Sequence, residues 1–192
     1  MRPAAFCVNA SYANIILIHA TKGMAMNSLP SFWLPGLASP QDTSHAHNLI
    51  YHPATGEITA TVLHATPSEQ DAVIELVNTA YSQWSTVPPL KRARCLFRFK
   101  TLLENHFDEL AALITHDHGK VISDAQGEVQ RAIELIEHYC AVPSLLSGSH
   151  SVQTGPHIDC YSLRQPLGVC LGIAPFNFPI MITAWLAIPA IA

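Results

Sequence analysis

The sequence predicts an α/β fold, the opening portion of a doubly wound domain, and three observations carry that prediction. Amphipathic helices follow one another between residues 66 and 143, a run apolar on both faces occupies residues 168–174, and a further apolar helix begins at Pro179. Helices, then a buried strand, then another helix is the order from which sheets with covering helices are assembled.

The elements follow in order. Residues 48–52 read as a short strand entering a turn at Pro53 and Gly56, and residues 57–63 alternate β-branched side chains as a second strand should. Thr66 is a predicted N-cap, Pro67 the first helical residue, and Glu69 the return arm of a capping box. Val73, Val77, Ala80, Tyr81 and Trp84 then share one face at helical spacing. A second helix starts near Leu90 and carries Arg92, Cys95, Leu96, Phe99, Leu102 and Leu103. The pattern restarts around Asn105, with Leu110, Leu113 and Ile114 leading to Gly119 as a left-handed helix end. A fourth helix opens at Ser123, buries Val129, Ile133, Ile136 and Cys140, and stops before Pro143. Residues 151–154 and 158–164 read as an exposed antiparallel hairpin about Gly155 and Pro156. Residues 168–174 suit an interior strand of a parallel sheet, which would bury Cys170. Pro179 opens the last helix, over residues 180–186.

Composition narrows the function classes. Hydrophobic residues make up 49% of the 192 and charged residues 12%, a balance that supports a core and excludes disorder. A net charge of -4, with no basic block, gives no reason to expect nucleic acid as a partner. Five cysteines, Cys7, Cys95, Cys140, Cys160 and Cys170, lack CxxC or metal-type spacing and read as free thiols in a reducing compartment. The eleven histidines show no set of convergent ligands. His45 and His47 lie in a polar lead-in, and His116 and His118 suit the negative end of a helix. No metal is expected. The cluster Lys91, Arg92 and Arg94 reads as a solvated face.

Two segments raise the question of targeting or membranes. Residues 1–41 contain no acidic side chain and hold a short apolar run at residues 13–18, as targeting peptides do. The preferred reading is an over-extended start, with Met24 or Met26 as the true beginning. No charge follows Arg164, but Gln165, Asn177 and prolines at 166, 175, 179 and 189 punctuate that stretch. A bilayer span requires about 20 consecutive apolar residues. A strand, a turn and a buried helix account for the punctuation better.

The chemistry-bearing segment is residues 172–179. It puts the carboxamide of Asn177 at the carboxyl end of a predicted strand, just before a helix, where ligands of open α/β sheets bind. That amide can donate to an oxygen on which negative charge develops. The bland alternative makes Asn177 a helix N-cap, with Pro179 at the first helical position.

Residues 175–179, Pro-Phe-Asn-Phe-Pro, resemble the Pro-Trp-Asn-Phe-Pro signature of the aldehyde dehydrogenase superfamily, with Phe176 in place of Trp. That variant, the preceding residues 164–170, and matches at 51–57, 92–94, 119–120 and 127–131 resemble the CoA-acylating methylmalonate-semialdehyde dehydrogenase branch. The likeness runs from about residue 50 to residue 192. It implies the N-terminal portion of an aldehyde-dehydrogenase-like fold: helices, the start of a parallel Rossmann-like sheet, and a protruding β-hairpin, incomplete as it stands. Residues 1–45 would be an undefined extension, 46–150 and 166–192 a partial NAD-binding domain, and 151–165 an oligomerisation hairpin.

The resemblance implies roles as well. Asn177 would line the oxyanion hole, Ala174, Pro175 and Phe176 would lie against NAD, and Arg131 would hold the substrate carboxylate through a bidentate fork. The alternative for Arg131 is a surface ion pair with Glu128 or Glu134. Family chemistry oxidises methylmalonate or malonate semialdehyde with NAD and transfers the acyl group to coenzyme A, giving propionyl-CoA or acetyl-CoA. That needs an activated cysteine, which the family carries far downstream of the Asn motif, and none of the five cysteines here has that context. The expectation is therefore a fragment inactive alone. Its small-molecule partner would be a semialdehyde, its assembly a homo-oligomer through the 151–165 hairpin, and its location the cytoplasm, or the mitochondrial matrix if the N-terminus is a transit peptide. Alternatives are a non-catalytic interaction protein using that hairpin, or a relic of a general NAD(P)-dependent aldehyde dehydrogenase without CoA transfer.

Overall fold

The computed structural model describes residues 47–192. Expectations for residues 1–46, including Cys7, His45 and any leader, lie outside the described residues. Strand β1 (His47–Tyr51) pairs antiparallel with β2 (Ile58–Leu63), with an irregularity between Ile50 and Tyr51. The turn between them closes through His52, whose backbone exchanges hydrogen bonds with Gly56 and Glu57.

Helix α1 (Pro67–Trp84) starts as its sequence dictates. The Thr66 hydroxyl accepts from the Glu69 N–H, and the Glu69 carboxylate accepts from the Thr66 N–H at 2.7 Å, a complete capping box. Its apolar face is only half-buried. One long-range tie comes from Trp84, whose Nε1 donates to the Ile191 carbonyl at 2.8 Å. Helices α2 (Pro89–Asn105) and α3 (Phe107–His118) are separated at His106, where the apolar pattern restarts. Gly119 closes α3 at φ 81°, in the left-handed region, and a Cβ there would lie 3.0 Å from Pro53 Cγ. Both the conformation and the close approach of the first hairpin's turn require glycine.

Helix α4 (Ile122–Cys140) is the centre of the packing. It lies against α2, α3 and the last helix, α6 (Met181–Ile191), while the short α5 (Val142–Leu145) packs on α2. Val129, Ile133, Ile136 and Cys140 are buried as their spacing requires, with Ala125 and Ala132 completing the stripe. Leu96 and Leu103 of α2, Ala111 and Ile114 of α3, and Ala184 and Ile188 of α6 meet it in one cluster. Full burial of an aliphatic side chain contributes about 1.5–3 kcal/mol, so α4 is the element the core is organised on.

Between α5 and α6 the chain forms the expected exposed hairpin. Strands β3 (His150–Gly155) and β4 (Ile158–Tyr161) pair antiparallel, with positive φ at Gln153 and His157.

Five expectations need correction. Residues 168–174 form no strand: both sheets among the described residues are two-stranded and antiparallel, and neither reaches this run. A central parallel strand takes its hydrogen bonds from neighbours on both sides, and no described strand lies beside this one. Cys170 is therefore exposed, not buried. Helix α6 begins and ends later than expected, carrying Pro189 in its last turn, where Ile188 is seated in the core. Helix α4 starts at Ile122, one residue early, with no side-chain cap from Ser123. Arg92, read as solvated, is half-buried; its Nε is enclosed without a hydrogen-bond partner among the described residues, and burial pulls the guanidinium below its ordinary value.

Because Ile136 is enclosed on all sides at the centre of α4, Ile136→Ala should cost about 2–5 kcal/mol of unfolding free energy. Urea titration followed by helical circular dichroism measures it. A loss of only a few tenths would mean that α4 does not organise the core.

Candidate functional site

The loop carrying Asn177 is held between the end of α3, the body of α4 and the start of α6. Just past Gly119, Lys120 leaves α3 and turns its side chain inward, where the ammonium makes three contacts. Its Nζ donates to Glu128 Oε2 at 2.6 Å and to the backbone carbonyl of Asn177 at 2.8 Å, and it lies 4.4 Å from the centre of the Phe178 ring. An ammonium has three donors and no acceptor, so this arrangement uses it well, with a cation–π contact added.

Glu128 is the buried charge of the core. Its side chain is 1% exposed and that of Lys120 11%. While Oε2 takes the ammonium, Oε1 accepts from the backbone N–H of Ile180 at 2.8 Å and of Met181 at 3.1 Å. Those groups belong to the opening turn of α6, where N–H donors have no partner within the helix and the dipole favours an anion. Ile180, the N-cap residue, offers no side-chain cap of its own. The carboxylate of α4 caps α6 in its stead.

Asn177 does not cap the helix, which settles the bland alternative: α6 starts four residues later. It sits in an exposed turn, held by its own carbonyl. Among the described residues its carboxamide has no hydrogen-bond partner. Beside it, Phe176 is 77% exposed, with one face stacked on the His118 ring at 4.6 Å between centroids and 28° between planes. Both His118 ring nitrogens are enclosed there without a hydrogen-bond partner among the described residues. Ala174 and Pro175 are exposed in the same loop.

Arg131 makes its contact on the exposed side of α4. One turn beyond Glu128 on α4, its side chain is 68% exposed and Nη1 donates to Glu134 Oε2 at 2.7 Å. That hydrogen bond holds the Glu134 carboxyl below its usual range. The structure thus gathers Ala174, Pro175, Phe176 and Asn177 into one loop and gives Arg131 a surface partner.

Sequence reasoning missed Lys120, Glu128 and His118 as parts of the site. One signal was available for Glu128. It lies three residues after Ala125 and four before Ala132, on the buried stripe of α4, where an unpaired carboxylate could not stand.

Comparison with known proteins bears on this site. The model of the aldehyde dehydrogenase family matches residues 41–192. Malonate-semialdehyde dehydrogenase of Pseudomonas aeruginosa is 43% identical over 143 residues, 74% of this chain and 29% of that protein. The human mitochondrial methylmalonate-semialdehyde/malonate-semialdehyde dehydrogenase (acylating) is 42% identical over 137 residues, 71% of this chain and 26% of its own. Among solved structures, methylmalonate-semialdehyde dehydrogenase of Oceanimonas doudoroffii superposes with a TM-score of 0.73 at 45% identity, over 78% of this chain and 30% of that one. A Sinorhizobium meliloti protein assigned to the same enzyme class, complexed with NAD, gives 0.73 at 39%, over 80% and 31%. The chain therefore spans 26% to 31% of the length of these relatives.

The difference between its buried and exposed ion pairs is measurable. Glu128→Leu strands the Lys120 ammonium and uncaps α6, and should cost about 3–5 kcal/mol. Glu134→Gln breaks a surface pair of nearly equal length and should leave the denaturant midpoint unchanged. Equal midpoint shifts from the two substitutions would contradict the assignment of Glu128.

Proposed function

The chain belongs to the aldehyde dehydrogenase family, and on that premise we propose that it supplies the oxyanion-stabilising part of an NAD-dependent, CoA-acylating methylmalonate- or malonate-semialdehyde dehydrogenase. The observation that carries this is the Asn177 carboxamide, presented in an exposed turn with no hydrogen-bond partner among the described residues while its backbone is tied down. A donor that is fixed in place but unspent is what a developing oxyanion requires.

In this reading the side-chain amide of Asn177 donates to the aldehyde oxygen as a thiolate adds to the carbonyl carbon. NAD, as the hydride acceptor, supplies the oxidation. The open, apolar surface of Ala174, Pro175 and Phe176 fits a flat cofactor laid against the loop. Arg131 exchanges Glu134 for the substrate's carboxylate; the pair is exposed, so the guanidinium is available at little cost. The acyl group then passes to coenzyme A, with the carboxylate leaving as carbon dioxide.

Among the described residues no cysteine suits the nucleophile's part. Cys95 and Cys140 are buried in the helical core, and burial pushes the Cys140 thiol up, away from the reactive thiolate. Cys160 belongs to the hairpin strand β4, and Cys170 sits at the start of the loop run, hydrogen-bonded to the Gly168 carbonyl. The exposed hairpin of β3 and β4 is read as the contact through which copies assemble. The location proposed is the cytoplasm or the mitochondrial matrix. Among the described residues, no helix is long and apolar enough to cross a membrane.

NADH formation from malonate semialdehyde and CoA tests the reading directly. The chain alone should give none. Residues 47–192, exchanged into the Pseudomonas aeruginosa relative, should give CoA-dependent turnover. Within that chimera Asn177→Ala should lower kcat by about 10²–10³. Arg131→Ala should raise KM for malonate semialdehyde about tenfold or more, the loss of one charge-assisted contact, and leave propanal unaffected. Turnover that ignores CoA, or an Asn177→Ala chimera with full kcat, would defeat the proposal.

A further inference from the structure

We propose that Lys120 and Glu128 are positioning residues for the Asn177 loop: one buried ion pair, bonded at one end to the Asn177 carbonyl and at the other to the first amides of α6, sets where the carboxamide is presented. The consequence for catalysis rests on the reading of Asn177 given above; the clamp itself does not.

The geometry makes the two residues a single device. Lys120 reaches the loop before Pro179, through the Asn177 carbonyl and the Phe178 ring, and Glu128 reaches it after Pro179, through Ile180 and Met181. The segment between is thereby pinned at both sides to the junction of α3 and α4. Each partner also fixes the other. Without Lys120, Glu128 is an unpaired carboxylate in the core; without Glu128, the ammonium keeps only a carbonyl and a ring. His118 adds a third hold by stacking on Phe176 from the last turn of α3.

Such a clamp leaves the Asn177 side chain free while removing the freedom of its backbone. Orientation rather than added contact is what it supplies, and misplacing a reacting group by a fraction of its reach is costly to catalysis. The same carboxylate fills the positive end of α6, so that helix terminus is not available to an anionic ligand.

Residue-resolved amide exchange on the full chain tests this with neither aldehyde nor NAD present, so its outcome is independent of whether the enzymatic reading survives. In Lys120→Met, exchange at Ile180 and Met181 should rise about tenfold or more above any change at the core amides of α4, as expected for local opening. Glu128→Gln should raise it less, because the neutral amide still accepts. The double variant should not exceed Lys120→Met alone, and Lys120→Arg should restore protection. If Lys120→Met fails to fold, the Glu128→Gln and Lys120→Arg pair carries the test. Loop exchange that rises only in step with the core, that stays unchanged, or whose two single effects simply add would overturn the proposal.

Discussion

The Glu128 carboxylate is the constraint on which the site depends. Placing a charge in the apolar stripe of a central helix is unfavourable unless it is paired and both its oxygens are hydrogen-bonded. Here one oxygen meets an ammonium and the other meets two backbone amides. That requirement fixes the path of the chain at the end of α3 and the start of α6. Lys120 must emerge from α3 at the angle Gly119 allows, and α6 must begin against α4. Asn177 lies in the loop that these two contacts hold at the entry to α6. Replacing a buried pair of this kind by apolar residues is often neutral for stability. Its value is in specifying one arrangement, and the arrangement specified is that of the loop.

Much of the helical framework was legible because its signals are local. The Thr66–Pro67–Glu69 start, the left-handed stop at Gly119, the break near His106 and the buried stripe of α4 each depend on residues a few positions apart. Both hairpins were legible for the same reason. The run at residues 168–174 was not, because a buried strand is defined by neighbours that no local pattern supplies, and among the described residues it has none. Cys170 shared that error. The length of α6 was also misjudged: it runs through Pro189 to Ile191, with Ile188 of that last turn seated in the core.

At the site, the resemblance singled out the Asn177 carboxamide, while helical spacing offered Glu128 and Glu134 as mates for Arg131, of which the structure shows Glu134. Glu128 was weighed only as a surface mate for Arg131, three positions away. In fact Arg131 faces out to Glu134, while Glu128 faces in to residues more than fifty positions along the chain. Helical adjacency cannot distinguish those two directions; the apolar stripe can. The same distance effect hid His118, whose role depends on Phe176 folding back over it. The family relationship explains why such a loop is present, and the buried pair explains how it is held.

The most direct measurement is nitrogen-15 NMR of the lysine ammonium groups. If Lys120 is held between Glu128, the Asn177 carbonyl and the Phe178 ring, its ammonium protons exchange slowly enough to be seen near neutral pH and show cross-relaxation to the ring. An ammonium that exchanges as fast as that of the exposed Lys91, with no link to Phe178, would contradict the account.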